Sequence, residues 1–186
     1  MIARGVTGET RDIVLKGGVF SVERLRVQLR NGTVAEREIV RHPGAVCVLG
    51  LLDDGRLVTI RNFRIATNSW LVEFCAGKLE AGEQPSIAAA RELEEETGYS
   101  AGSISALGTF YTSPGFTDEL MHAFLATGLR PCPTRLEQDE RIETRLMSVA
   151  EFEEGIVRGD VVDAKSIATF TLWLLRQRAA TTHTRR

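Results

Sequence analysis

No apolar run in this chain approaches the roughly 18 residues that a membrane-spanning helix needs, so no span is expected. Residues Met1 to Gly18 contain no apolar stretch of the kind a secretory signal carries. Positive charge is not in excess: 23 Lys and Arg stand against 25 Asp and Glu, a net charge of −2. Neither nucleic acid nor a membrane is therefore an expected partner. Cysteine is scarce. Cys47, Cys75 and Cys132 are odd in number and far apart, so they form neither a CxxC metal pair nor a disulfide framework. A reducing cytoplasm is the expected compartment. His42, His122 and His183 lack ligand or triad spacing, and no GxSxG elbow or P-loop is present. Internal repeats and low-complexity tracts are also missing.

What remains is an ordinary globular composition of 186 residues, 43% hydrophobic and 26% charged, long enough to bury a core. The first 18 or so residues are polar and are expected to form a loose arm. Val19 to Leu29 alternates like a strand, Asn31-Gly32 is a hairpin signal, and Val34 to Val40 returns. His42-Pro43-Gly44 punctuates the chain. Ala45 to Leu52 is a continuous apolar run and predicts a buried strand, with Arg56 to Arg64 as its partner after Asp53-Asp54-Gly55. Further strands are predicted at Trp70 to Phe74, Ser103 to Tyr111, Met121 to Thr127 and Ile142 to Ser148. Helices are predicted at Pro85 to Thr97, closed by Gly98, at Val149 to Arg158, and at Ala164 to Arg178. Pro131 to Arg141 is expected to be a loop. Mixed strands with few helices imply an α/β sandwich around a mixed sheet.

The most informative stretch is Gly77 to Tyr99, GKLEAGEQPSIAAARELEEETGY. At about 100° per residue, Glu92, Glu95 and Glu96 fall in one arc beside an apolar face of Ala89, Ala90, Leu93 and Thr97. Glu83 can approach from the preceding loop. Like charges three and four residues apart repel, and acids near a helix C-terminus oppose its dipole. A divalent cation would relieve both, and oxygen ligands suit Mg²⁺ or Mn²⁺. By periodicity alone, a solvated acidic face is the commoner meaning of such a run.

Gly77, Glu83, Arg91-Glu92-Leu93, Glu95-Glu96 and Gly98-Tyr99 resemble the Nudix box at every fixed position and spacing. The resemblance implies a Nudix α/β/α sandwich that holds a divalent metal over a pyrophosphate. It assigns Glu92 and Glu96 as main metal ligands, Glu95 and Glu83 as supporting carboxylates, and the Ala76 carbonyl as a further ligand. Arg91 is implied to orient the glutamates. The cofactor implied is Mg²⁺, with Mn²⁺ as a possible substitute.

Other stretches resemble the ADP-ribose and ADP-sugar pyrophosphatase branch of that family. Pro114 of Ser113-Pro114-Gly115 lies sixteen residues past Gly98. Arg61-Asn62-Phe63-Arg64 followed by Glu73-Phe74-Cys75-Ala76-Gly77 is similar to that branch's QYR…ELPAG, departing at Asn62, Phe63 and Cys75. The N-terminal hairpin resembles its dimerising, domain-swapped element, and GDVVDAKSIATFTLWLL its C-terminal helix. The branch implies a homodimer. Residues 1–42 would be the N-terminal antiparallel β region and 43–186 the hydrolase domain. The implied reaction cuts a nucleoside diphosphate sugar, ADP-ribose first, with ADP-glucose, UDP-glucose, GDP-mannose or mere nucleotide sensing as alternatives.

Within that resemblance Arg64 is the candidate phosphate partner, since a guanidinium can pair bidentately, and Arg61 is a second. Pro114 and Gly115 are expected in the substrate loop. Glu119 is a candidate for the distal ribose, or else a plain loop acid. Phe20, Phe116 or Trp70 could stack on the base, whereas Trp173 reads as core. Carboxylates bound to metal are poor bases, so the base is sought elsewhere. Arg135–Glu143, RLEQDERIE, supplies Glu140 as first choice, with Glu137 or Asp139 next and Glu95 as the fallback within the box.

Overall fold

The computed structural model describes residues 6–136 and 141–183. They form two compact units. One comprises the described residues up to Gly44 together with Tyr111–Leu120; the other comprises Ala45–Phe110 and the described residues from Met121 onward.

The larger unit is organised by β4 (Ala45–Leu51), whose sequence AVCVLGL is apolar throughout because both faces are covered. Successive side chains of a strand point to opposite faces. Ala45, Cys47 and Leu49 accordingly enter one core cluster, with Phe74, Phe152 and Phe170. Val46 and Val48 enter another, with Ala88, Ala89 and Leu93. Around β4 lie β5 (Leu57–Arg64), β6 (Ser69–Glu73), β7 (Cys75–Lys78), β9 (Ser103–Tyr111), β10 (Leu120–Thr127) and β12 (Ile142–Met147). The strand order is β12-β5-β4-β10-β9, with β6 beside β5 and β7 beside β4. β10 runs parallel to β4, while β5 and β7 run antiparallel to it, so the sheet is mixed. A two-stranded pair, β8 (Tyr99–Ser100) and β11 (Arg130–Pro131), lies apart.

Helix α1 (Pro85–Thr97) supplies the second cluster; α2 (Val149–Arg158) and α3 (Ala164–His183) supply the first. Helices thus cover both faces, the expected α/β/α sandwich. Helix α1 starts at a proline, whose missing N–H costs nothing in the first turn. It stops at Gly98, whose φ of 72° an L side chain rarely tolerates. In the first cluster Phe74 and Phe152 stack at 4.8 Å between ring centroids, and Phe152 and Phe170 lie 4.9 Å apart. Burying each such side chain contributes ~1.5–3 kcal/mol. Trp173 lies in this core, as expected. No described helix is long and apolar enough to cross a membrane.

The smaller unit holds β1 (Val6–Lys16), β2 (Ser21–Leu29) and β3 (Val34–Arg41) in one antiparallel sheet. The loose arm expected at the N-terminus is instead mostly β1. From Glu9 to Lys16 it is exposed on both faces, so no apolar alternation marks it in the sequence. Its contacts are charged: Arg11 pairs with Glu9 and lies 3.8 Å from Glu23. The β2–β3 hairpin exists, but only Gly32 of Asn31-Gly32 has positive φ, at 83°. Asn31 instead accepts from the Thr33 N–H at 3.0 Å.

Candidate active site

Side chains from three elements converge on the segment Glu73–Gly77 of the larger unit. From α1, Glu96 Oε2 accepts from the Ala76 N–H at 3.0 Å. The Glu92 carboxylate lies over Gly77, where a Cβ would come within 1.9 Å of its carboxyl carbon. Gly77 therefore leaves room for a carboxylate, and two acids four residues apart on α1 are lodged against the backbone of β7. Both are buried.

Arg91 holds the acids together. Its Nε and Nη2 donate to the two oxygens of Glu83, each at 3.0 Å. Its Nη1 donates to Glu92 at 2.7 Å and to Glu95 at 3.2 Å. These partners push the Arg91 pKa further above its ordinary value, Glu83 first, and the same ion pair holds Glu83 below the usual carboxylate range. Arg135 stands 3.6 Å from Glu95 and 3.7 Å from Glu94. The structure thus brings Glu83, Arg91, Glu92 and Glu95 into one bonded cluster, with Glu96 one helical turn from Glu92. Among the described residues no three His, Cys, Asp or Glu side chains are spaced as a closed metal cage. The donors are nevertheless all carboxylate or backbone oxygen, beside a glycine that keeps side-chain bulk away, and that set fits a hard divalent cation in kind.

Arg64 and Arg61 are not brought together: an odd spacing along β5 sends them to opposite faces. Arg64 grips Glu73 with Nε and Nη2, at 2.8 and 2.5 Å, and this pairing raises its pKa. Arg61 bonds Glu143 at 3.1 Å and lies 5.1 Å over the ring of Trp70. Trp70 in turn meets Phe63 edge-on at 5.7 Å and is 40% exposed.

Pro114, Gly115, Phe116 and Glu119 belong to the smaller unit, as does Phe20. Ser113 O accepts from the N–H groups of Phe116 and Thr117, closing the turn that carries Pro114 and Gly115. Glu119 accepts from the Thr112 hydroxyl at 2.7 Å and lies 3.7 Å from His42 Nδ1. Phe20 and Phe116 are exposed. Glu137, Asp139 and Glu140 lie outside the described residues.

Three charged residues that sequence reasoning passed over complete the segment. Glu73 is fully buried. Lys165 Nζ donates to it at 2.5 Å and to Asp163 at 2.8 Å. Burial pulls the Lys165 pKa down, but its two acidic neighbours outweigh that and raise it. Asp163 also accepts from the Ser166 N–H at 3.0 Å, capping α3, and Ser166 Oγ accepts from the Phe74 N–H at 2.8 Å. The available signals were a glutamate inside the apolar run SWLVEFC and an Asp three residues before Ser at a helix start.

Residues 41–170 match the NUDIX domain family. The chain is 40% identical over 158 residues to the ADP-ribose pyrophosphatase of Bacillus subtilis (strain 168), covering 84% of this chain and 85% of that one. It is 38% identical over 156 residues to the methanol dehydrogenase activator of Bacillus methanolicus, covering 83% and 84%. The crystal structure of an ADP compounds hydrolase superposes with a TM-score of 0.79 at 23% identity, over 94% of this chain and 98% of that one, a likeness of fold.

Proposed function

Since the chain belongs to the Nudix family of pyrophosphohydrolases, we propose that among nucleoside diphosphate sugars its preferred substrate is ADP-ribose, cut to AMP and ribose 5-phosphate. The observation that carries the reading is the lodging of Glu92 and Glu96 against Ala76 and Gly77, with Arg91 tying in Glu83 and Glu95. A fold gains nothing from gathering like charges in one place, so the cluster points to a cationic ligand.

In this reading Glu92, Glu96 and the Ala76 carbonyl are the main ligands of the cation, and Glu95 and Glu83 support them. A divalent cation there, Mg²⁺ by preference with Mn²⁺ as substitute, would neutralise phosphate charge and ease ionisation of the attacking water. Arg91 keeps the carboxylates aligned. Arg64 meets a phosphate, whereas Arg61, on the opposite face of β5 and bound to Glu143, does not share that contact; Pro114, Gly115 and Glu119 are further candidate substrate-binding residues. Glu140 takes the proton of the attacking water; the new P–O bond forms as the bridging P–O bond breaks. The base recognised remains the finer question, and ADP-glucose, UDP-glucose and GDP-mannose are the competing substrates.

A panel of these three nucleotide sugars and ADP-ribose, each with Mg²⁺, Mn²⁺ or excess chelator, tests the reading by nucleoside monophosphate release. The highest kcat/KM is expected for ADP-ribose with Mg²⁺, and none with chelator. A higher kcat/KM for another sugar nucleotide would replace the substrate. Full activity in chelator would remove the metal.

A further inference from the structure

We propose that Glu73 is a positioning residue for Arg64, and that Lys165 preserves the electropositive character of that arginine toward a substrate phosphate. The inference rests on the reading that the substrate is a nucleoside diphosphate sugar.

Glu73 contacts one edge of the Arg64 guanidinium. Nε and Nη2 donate to Oε1 and Oε2, which fixes the plane and direction of the group. Nη1 has no partner among the described residues. Arg64 keeps 39% of its side-chain surface exposed, whereas Glu73 keeps none. A clamped edge and an open edge on one guanidinium suit recognition of an anion from solvent. The charge of Glu96 adds to that of Glu73 in raising the Arg64 pKa.

Charge shows why a third group is needed. Arg64 and Glu73 alone sum to zero and would present little field to a phosphate. Lys165 Nζ donates to the same Glu73 oxygen that Arg64 Nη2 uses, so two cations share one buried carboxylate. The triad carries +1; with Asp163 the four groups sum to zero, and Arg64 is their most exposed member. Asp163 offsets Lys165 from the far side, and it spends its second oxygen on the α3 cap through Ser166. Asp163 hydrogen-bonds Lys165 and the helix start, and its charge also reaches the Arg64 guanidinium. The chain runs on from Glu73 to Ala76 and Gly77, so one short segment carries both the carboxylate that grips Arg64 and the backbone on which Glu92 and Glu96 rest.

A double-mutant cycle tests this with ADP-ribose and saturating Mg²⁺. Glu73→Gln is expected to raise KM on the order of tenfold with kcat little changed, because an amide holds the guanidinium less firmly. Arg64→Ala is expected to raise KM by at least as much. Combined, the two changes are expected to match Arg64→Ala alone, since Glu73 acts only through Arg64. Lys165→Met gives an independent route should Glu73→Gln fold poorly. It removes the shared cation, and a KM several-fold higher is expected, again absent in the Arg64→Ala background. Multiplicative effects, or an unchanged KM in both Glu73→Gln and Lys165→Met, would overturn the positioning role while leaving the assigned reaction standing. A wild-type protein that cleaves no nucleotide sugar would overturn the assigned reaction itself.

Discussion

Gly77 can be nothing larger while Glu92 stays where it is. A Cβ at this position would sit 1.9 Å from the carboxyl carbon of Glu92. That carboxylate ends a flexible side chain, so it can swing away at little cost to the fold. Gly77→Ala is therefore expected to leave the melting temperature within about 4 °C, roughly 1 kcal/mol for a chain of this size. Turnover is expected to fall by roughly 10²-fold, the scale of a misplacement by about an ångström. Thermal unfolding alongside ADP-ribose turnover separates the two. A variant with normal kcat would mean that the Glu92 position is incidental. The cysteines allow a second test at this scale. Burial pushes the Cys47 thiol up to about 12, and raises that of Cys75 as well. Both thiols stay protonated in the folded state at pH values where the unfolded chain ionises. Stability from these sites is whole below the ordinary thiol pKa and declines as pH rises toward 12. At pH 8 a thiol reagent is expected to label Cys132, which is partly exposed, and to reach Cys47 and Cys75 only after unfolding. Three equally fast thiols in the native protein would contradict the packing of both.

Helix α2 is held at its start by a reciprocal pair. The Glu151 N–H donates to Ser148 Oγ at 3.1 Å, and the Ser148 N–H donates to Glu151 Oε2 at 2.7 Å. This cap directs Phe152 into the core between Phe74 and Phe170. Ser148→Ala is expected to cost ~1 kcal/mol in urea unfolding with specific activity per folded molecule unchanged. A loss of kcat without a loss of stability would tie α2 to the chemistry. Elements of this kind were legible in the sequence. Pro85 and Gly98 bracket α1, and the doubly covered β4 reads as an unbroken apolar run. The bounds of α2 were equally clear. Strand β1 was hidden because both of its faces are exposed from Glu9 onward, so nothing alternates. Strand β7 was not predicted at all, since the expected strand ended at Phe74, whose N–H donates to the Ser166 hydroxyl 92 residues away. At the site, the Nudix spacing located the carboxylate arc because α1 is one regular helix. Glu73 was missed because a buried acid is set by partners such as Lys165, remote in the chain, and local pattern does not encode them.

The smaller unit has too little covering of its own. Ile13 is 66% exposed and Val14, Leu15, Val19 and Phe20 are exposed beside it. A second copy would cover these apolar residues. We expect a homodimer by light scattering at micromolar concentration, and a truncation lacking residues 1–42 that loses dimerisation and activity. A monomer, or a soluble and fully active truncation, would contradict this. In the larger unit, we propose that the glutamates serve hydrolysis and not folding. The most direct measurement is turnover and melting temperature of Glu96→Gln with ADP-ribose and Mg²⁺. The glutamine keeps an oxygen to accept from the Ala76 N–H, so the fold is expected to persist with a melting temperature equal to or above that of the parent. Turnover is expected to fall by at least roughly 10²–10³-fold, the scale of removing one group that stabilises developing charge. A folded Glu96→Gln protein that hydrolyses ADP-ribose at the parent rate would mean that Glu96 has no part in hydrolysis.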